Sequence, residues 1–90
     1  MTEEMKMIGA VVRSTAGRDG RRFYVIVRTD TDRSRVFISD GRLRPLERPK
    51  AKNLRHLEFV CHSREAEEMI ADGALTNRSL RKLLSSYNLT

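Results

Sequence analysis

Met7-Ile-Gly-Ala-Val-Val-Arg-Ser-Thr-Ala-Gly-Arg-Asp-Gly-Arg-Arg-Phe-Tyr-Val-Ile-Val-Arg28 is the stretch that decides the fold. Met7–Arg13 is apolar and rich in branched residues, so it reads as a strand. Ser14–Arg21 carries two glycines and reads as a loop. Arg22–Arg28 is apolar on both faces. Alternation there puts Phe23, Val25 and Val27 on one side and Tyr24 and Ile26 on the other. A strand buried on both faces needs cover on both, so this pair cannot stand as an isolated hairpin.

Working outward, Thr29–Ser34 is a polar turn and Arg35–Ser39 a third strand. Asp40-Gly41 is a tight-turn signal, because glycine accepts positive φ at no steric cost. A short strand is expected near Arg42–Leu46, with Pro45 and Pro49 keeping the chain there off a central sheet position. Leu54–Cys61 alternates as a last strand, with Leu57 and Phe59 sharing a face. The period then changes. Ser63 is an N-cap candidate for REAEEMIA, with Asp72-Gly73 as the stop. Thr76 is a second N-cap candidate, followed by Leu80, Leu83, Leu84 and Tyr87 at helical spacing. The expectation is a mainly β protein: a small, partly open barrel over residues 1–62 with two short helices over 63–90, packed on it as one structural unit.

The chain has 90 residues and buries only about 60–65% of its unfolded surface, so its core is thin. The formal net charge is +6, and it is unevenly placed. Residues 1–62 hold 14 basic and 8 acidic side chains, while residues 63–90 hold 4 of each. The excess concentrates further where Arg42, Arg44, Arg48, Lys50, Lys52 and Arg55 face only Glu47. A face meant only for solubility gains from mixed signs, so this clustering points to a polyanionic partner, a nucleic acid or a membrane surface. Aromatics are sparse, which favours contact through phosphates over contact through many stacked bases; Tyr24 is either a stacking residue or core.

Two segments carry the candidate site. In Gly17-Arg18-Asp19-Gly20-Arg21-Arg22 the glycines permit close backbone approach to an anion, and the arginines supply forked donors. The same residues also suit a hairpin loop with exposed arginines, and the GK[ST] ending of a P-loop is missing. The tract Arg48–His56 spaces its cations two or three apart, as an extended segment along a phosphate backbone would; a solvated linker is the plain alternative.

Other chemistry has little support. His56, Cys61 and His62 are the only soft ligands and lack metal-site spacing, so no metal or cofactor is implied. Cys61 and His62 are strand neighbours and point to opposite faces, which disfavours a nucleophile–base pair. One cysteine excludes an internal disulfide, and MTEEMKM has neither the apolar core of a signal peptide nor the length of an anchor. The expected location is the cytoplasm.

The segment Ile8–Val27 resembles the KOW motif. The resemblance continues through Ser39-Asp-Gly-Arg-Leu-Arg-Pro-Leu-Glu-Arg-Pro-Lys50 and then Leu54–Leu57. Leu75–Leu84 is similar to the C-terminal helix of the small bacterial KOW-domain RNA-binding proteins. That family is related to KOW-containing large-subunit ribosomal proteins of archaea and eukaryotes. The resemblance spans about residues 7–89 and implies an SH3-like barrel that binds RNA, usually ribosomal RNA. Gly17 matches the glycine of the motif's turn. Many members carry a lysine between the Asp and Gly that are adjacent here as Asp19-Gly20.

The expected function is therefore a non-enzymatic, ribosome-associated RNA binder, with ribosomal proteins as further candidate partners. Arg13, Arg18, Arg21 and Arg22 would form one phosphate-contacting edge, and Arg42, Arg44, Arg48, Lys50, Lys52 and Arg55 the other. The alternative is a protein-interaction module like the KOW domains of NusG-type transcription factors, docking through the leucine-rich C-terminus.

Overall fold

Alternation along β2 (Phe23–Asp30) sets the architecture, because this strand sends bulky apolar side chains to both faces of the sheet. Tyr24 and Ile26 go to one side, joining Ala10 and Val12 of β1 (Ala10–Ser14) and Val36 and Ile38 of β3 (Arg35–Ser39). Phe23, Val25 and Val27 go to the other, joining Val11, Ala66, Leu80 and Leu84. The structure is a computed structural model that describes residues 7–15, 22–30 and 34–88.

Five antiparallel strands form one sheet in the order β4-β3-β2-β1-β5, with β4 at Lys50–Asn53 and β5 at Leu57–His62. Two register shifts bend it. One falls between Val11 and Val12 where β1 meets β5, leaving Val60 as the extra residue; the other skips Val27 where β2 meets β3. Such bulges sharpen local twist and let a short sheet curl around its own apolar face. A 3-10 turn, Leu54–His56, carries the chain from β4 to β5. It is fastened at both ends: Leu54 N donates to Ser34 O at 3.3 Å, and Thr15 N donates to His56 O at 3.0 Å. The result is the expected mainly β, small SH3-like barrel.

The outer face is covered by α1 (Arg64–Ala71) and α2 (Asn77–Leu83). Both helices start on a side-chain cap. Ser63 Oγ accepts from Ala66 N at 3.1 Å and Thr76 Oγ1 accepts from Ser79 N at 3.1 Å. Helix α1 stops in a paired closure, with Gly73 N donating to Ile70 O and Ala74 N donating to Met69 O. Beyond α2, Tyr87 sets its ring 5.3 Å from that of Phe23, and the Asn88 amide pairs with both the N–H and the C=O of Phe23. The helices therefore share the outer core with the barrel, rather than hanging from it.

Three expectations need correction. The first strand starts at Ala10, because Met7–Gly9 forms a turn with Gly9 N donating to Ile26 O. No strand forms over Arg42–Leu46. There the buried Asp40 carboxylate accepts from Arg42 N and Arg44 N, both at 2.9 Å, which folds the segment into a turn that Pro45 ends. The strand comes later, at Lys50–Asn53. Leu54–His56 is 3-10 rather than strand, because Asn53 Oδ1 caps Arg55 N at 3.1 Å. Leu57 and Phe59 share a face as expected, opposite Ser14 and Val12, but Phe59 is 64% exposed on the edge strand β5.

A candidate nucleic-acid interface

The predicted site residues fall into three groups. Arg18, Arg21 and the motif glycine Gly17 lie outside the described residues. Arg13 and Arg22 are occupied. Arg13 Nε donates to Glu58 Oε1 at 2.9 Å across the β1–β5 ladder. Arg22 places Nε and Nη2 on Asp40 Oδ2 at 3.2 and 3.0 Å. The Asp40 side chain is wholly buried, so this pair is structural: burying a carboxylate is tolerable only with a fixed partner and filled lone pairs. Neither arginine is available to phosphate without breaking such a pair.

The third group runs from Arg42 to Arg55. Arg42, Arg48 and Arg55 are exposed, and Arg44, Lys50 and Lys52 are half-buried. Arg42, Arg48, Lys50 and Arg55 make no ion pair among the described residues. Strand β4 displays its two lysines on one side. Lys50 lies opposite Ile38 and Lys52 opposite Val36, so both stems run over the barrel's inner core and carry their ammonium groups out to its rim. Their separation is two residue rises, about 6.6 Å. Arg55 follows on the 3-10 turn, beside the base of the β1–β2 loop that Thr15 N fastens to His56 O. The tract expected to be a flexible extended segment is thus half β-strand, and its lysines sit on an apolar strand face.

Several other cations are committed. Arg35 approaches Asp30 at 3.6 Å, Arg28 stacks its guanidinium 4.3 Å over the Phe37 ring, and Arg64 pairs with Glu68 one helical turn on. Glu47, the lone acid of the basic tract, is also engaged. Asn77 Nδ2 donates to its Oε1 at 2.7 Å, and this bond, with a backbone bond and the charge of Arg48, holds the Glu47 carboxyl below its ordinary range. The other arm of Asn77 accepts from Leu46 N at 2.8 Å, so one amide pins the loop to the start of α2.

Tyr24 is fully buried and belongs to the core, not to a stacking platform. Phe59 is the aromatic that projects instead. Cys61 and His62 go separate ways. Cys61 Sγ contacts the Tyr87 hydroxyl at 3.3 Å, which pushes the Tyr87 pKa up, while His62 Nε2 lies 3.1 Å from Ile8 O and 3.2 Å from Glu67. Among the described residues no helix is long and apolar enough to cross a membrane. Set against known proteins, the sequence matches no protein-family model and no curated protein.

Proposed function

We propose that the chain is a non-enzymatic RNA-binding protein that holds phosphates along the Arg42–Arg55 side of its barrel, with ribosomal RNA as the partner class. The observation that carries this reading is the partition of cations. Among the described residues Arg42, Lys50 and Arg55 make no ion pair and Arg48 only a longer-range attraction to Glu47, while most other described arginines are paired or stacked, and the four succeed one another along one loop, strand and turn. The KOW-like sequence pattern supports the same partner. The alternative of docking through the C-terminal leucines has less support, because Leu80 and Leu84 are buried against Val11 and Val25 and leave only Leu75 and Leu83 half-buried among the described residues.

The test is sedimentation of the tagged protein with ribosomal subunits at low and high salt, followed by titration of a structured RNA. Phosphate contact predicts co-sedimentation that salt disrupts and a falling log K against log salt. A slope near zero would remove the proposal.

A further inference from the structure

A cavity of about 140 Å³ lies where the β3–β4 loop meets the end of α2, lined by Arg22, Asp40, Arg42, Arg81, Ser85 and Asn88 with Leu84 behind them. We infer that it is a binding pocket for a single phosphate group, distinct from the row of cations on β4. Three arginines and one aspartate line it, and that carboxylate has no capacity left. Asp40 Oδ2 takes both donors of Arg22, and Oδ1 takes the backbone N–H groups of Arg42 and Arg44. The pocket therefore carries two uncompensated positive charges on groups that cannot deprotonate.

The remaining hydrogen-bond chemistry selects the ligand. Asn88 spends its oxygen and its nitrogen on the Phe23 backbone, and Ser85 Oγ donates to Lys82 O. Arg81 uses Nη1 on Gly41 O at 2.8 Å and keeps its other donors; the Arg42 guanidinium makes no hydrogen bond among the described residues. What is left is almost wholly donors. A ligand here must be acceptor-rich, anionic and small. At about 140 Å³ the cavity has room for a tetrahedral phosphate. Part of the site is also preset, because the Arg81–Gly41 bond holds one donor fork before any ligand arrives and the Arg22–Asp40 pair fixes the wall beside it.

The phosphate can belong to an RNA or to a free phosphorylated molecule, and two arms separate these. In the first, the full chain is titrated with inorganic phosphate at constant ionic strength and followed by amide NMR. Saturable shifts are expected at Gly41, Arg42 and Ser85, weakened about tenfold or more by Arg42→Ala, since charge-assisted forks are the strong bonds of such sites. Arg64→Ala, which removes an equal charge from α1, should leave the titration unchanged. Acetate at matched ionic strength should give no saturable shift. In the second arm, one oligoribonucleotide is compared with and without a 5′-phosphate. A preference for the phosphorylated form that Arg42→Ala abolishes assigns the pocket to an RNA end. Equal affinity for both, with the phosphate titration intact, assigns it to a small phosphorylated ligand. Saturable phosphate binding by a protein that ignores RNA would sink the RNA reading and keep the pocket. Shifts that never saturate, that spread evenly over β4, or that survive Arg42→Ala would overturn the pocket itself.

Discussion

Gly41→Ala is the substitution that most directly tests whether the β3–β4 loop is rigidly docked. Gly41 has φ of +78°, and an added Cβ would run into the carbonyl oxygen of Asn77 and stand 3.1 Å from Leu80 Cβ. Both neighbours belong to α2, and one is backbone, so neither can rotate away. The left-handed conformation costs an alanine about 1–2 kcal/mol. Overpacking against a fixed helix adds roughly 1–3 kcal/mol. If the loop lifts to escape, the Arg81–Gly41 bond goes as well, about 1 kcal/mol. The sum is about 3–6 kcal/mol, a large share of the roughly 5–13 kcal/mol expected of a 90-residue domain. The thermal unfolding midpoint by circular dichroism should fall by roughly 12–48 °C. Gly73→Ala is the internal control. It has φ of +67° but nothing within 4 Å of its new Cβ, so it carries only the conformational cost, about 1–2 kcal/mol. If the two variants melt together, the steric argument fails, and with it the claim that the loop and the phosphate pocket are preformed.

Burial and bonding fix three further outcomes. Leu80→Ala, at a position with no exposure, should cost about 2–5 kcal/mol, whereas half-buried Leu83→Ala should cost only about 1 kcal/mol; urea titrations distinguish them. Asn77→Ala removes the chief cause of the lowered Glu47 pKa, so NMR titration should show the Glu47 midpoint moving up. The sign for stability is that a depressed carboxylate stabilises the fold at neutral pH and loses that contribution as pH falls through its folded value, a dependence Asn77→Ala should weaken. Lys50→Ala with Lys52→Ala and Arg48→Ala with Arg55→Ala each delete two cations. The lysine pair alone should lower stability, by about 1–2 kcal/mol, because its stems cover Val36 and Ile38.

What sequence could reveal depended on whether the deciding interaction was local. The two faces of β2, the β3 span and the Ser63-to-Gly73 bounds of α1 were legible, since alternation, a capping hydroxyl and a stop glycine are written within a few residues. Strand β4 was not. Lys-Ala-Lys-Asn has no apolar alternation, and it becomes a strand only because β3 offers it a ladder and apolar surface for lysine stems. The expected strand at Arg42–Leu46 failed for the converse reason: Asp40 redirects the backbone through bonds that a strand pattern does not encode. In the site, the clustering of charge was legible but its commitments were not. Arg22 finds Asp40 18 residues away and Arg13 finds Glu58 45 residues away.

That partition is measurable, because only uncompensated cations release counterions when phosphate binds. A guanidinium already held by a buried carboxylate has no charge to offer without abandoning that aspartate. Counting all ten cations read from the sequence would demand a log–log salt slope of roughly −7 to −9. Counting Arg42, Arg48, Lys50 and Arg55 alone gives roughly −3 to −3.5. Arg22→Ala then separates the two views. It should unfold or soften the loop by leaving Asp40 buried and unpaired, yet under conditions where the fold survives it should leave the slope where it was. A slope that instead flattens by about one phosphate would mean that Arg22 leaves Asp40 for the RNA, and that this ion pair is a switch rather than a strut.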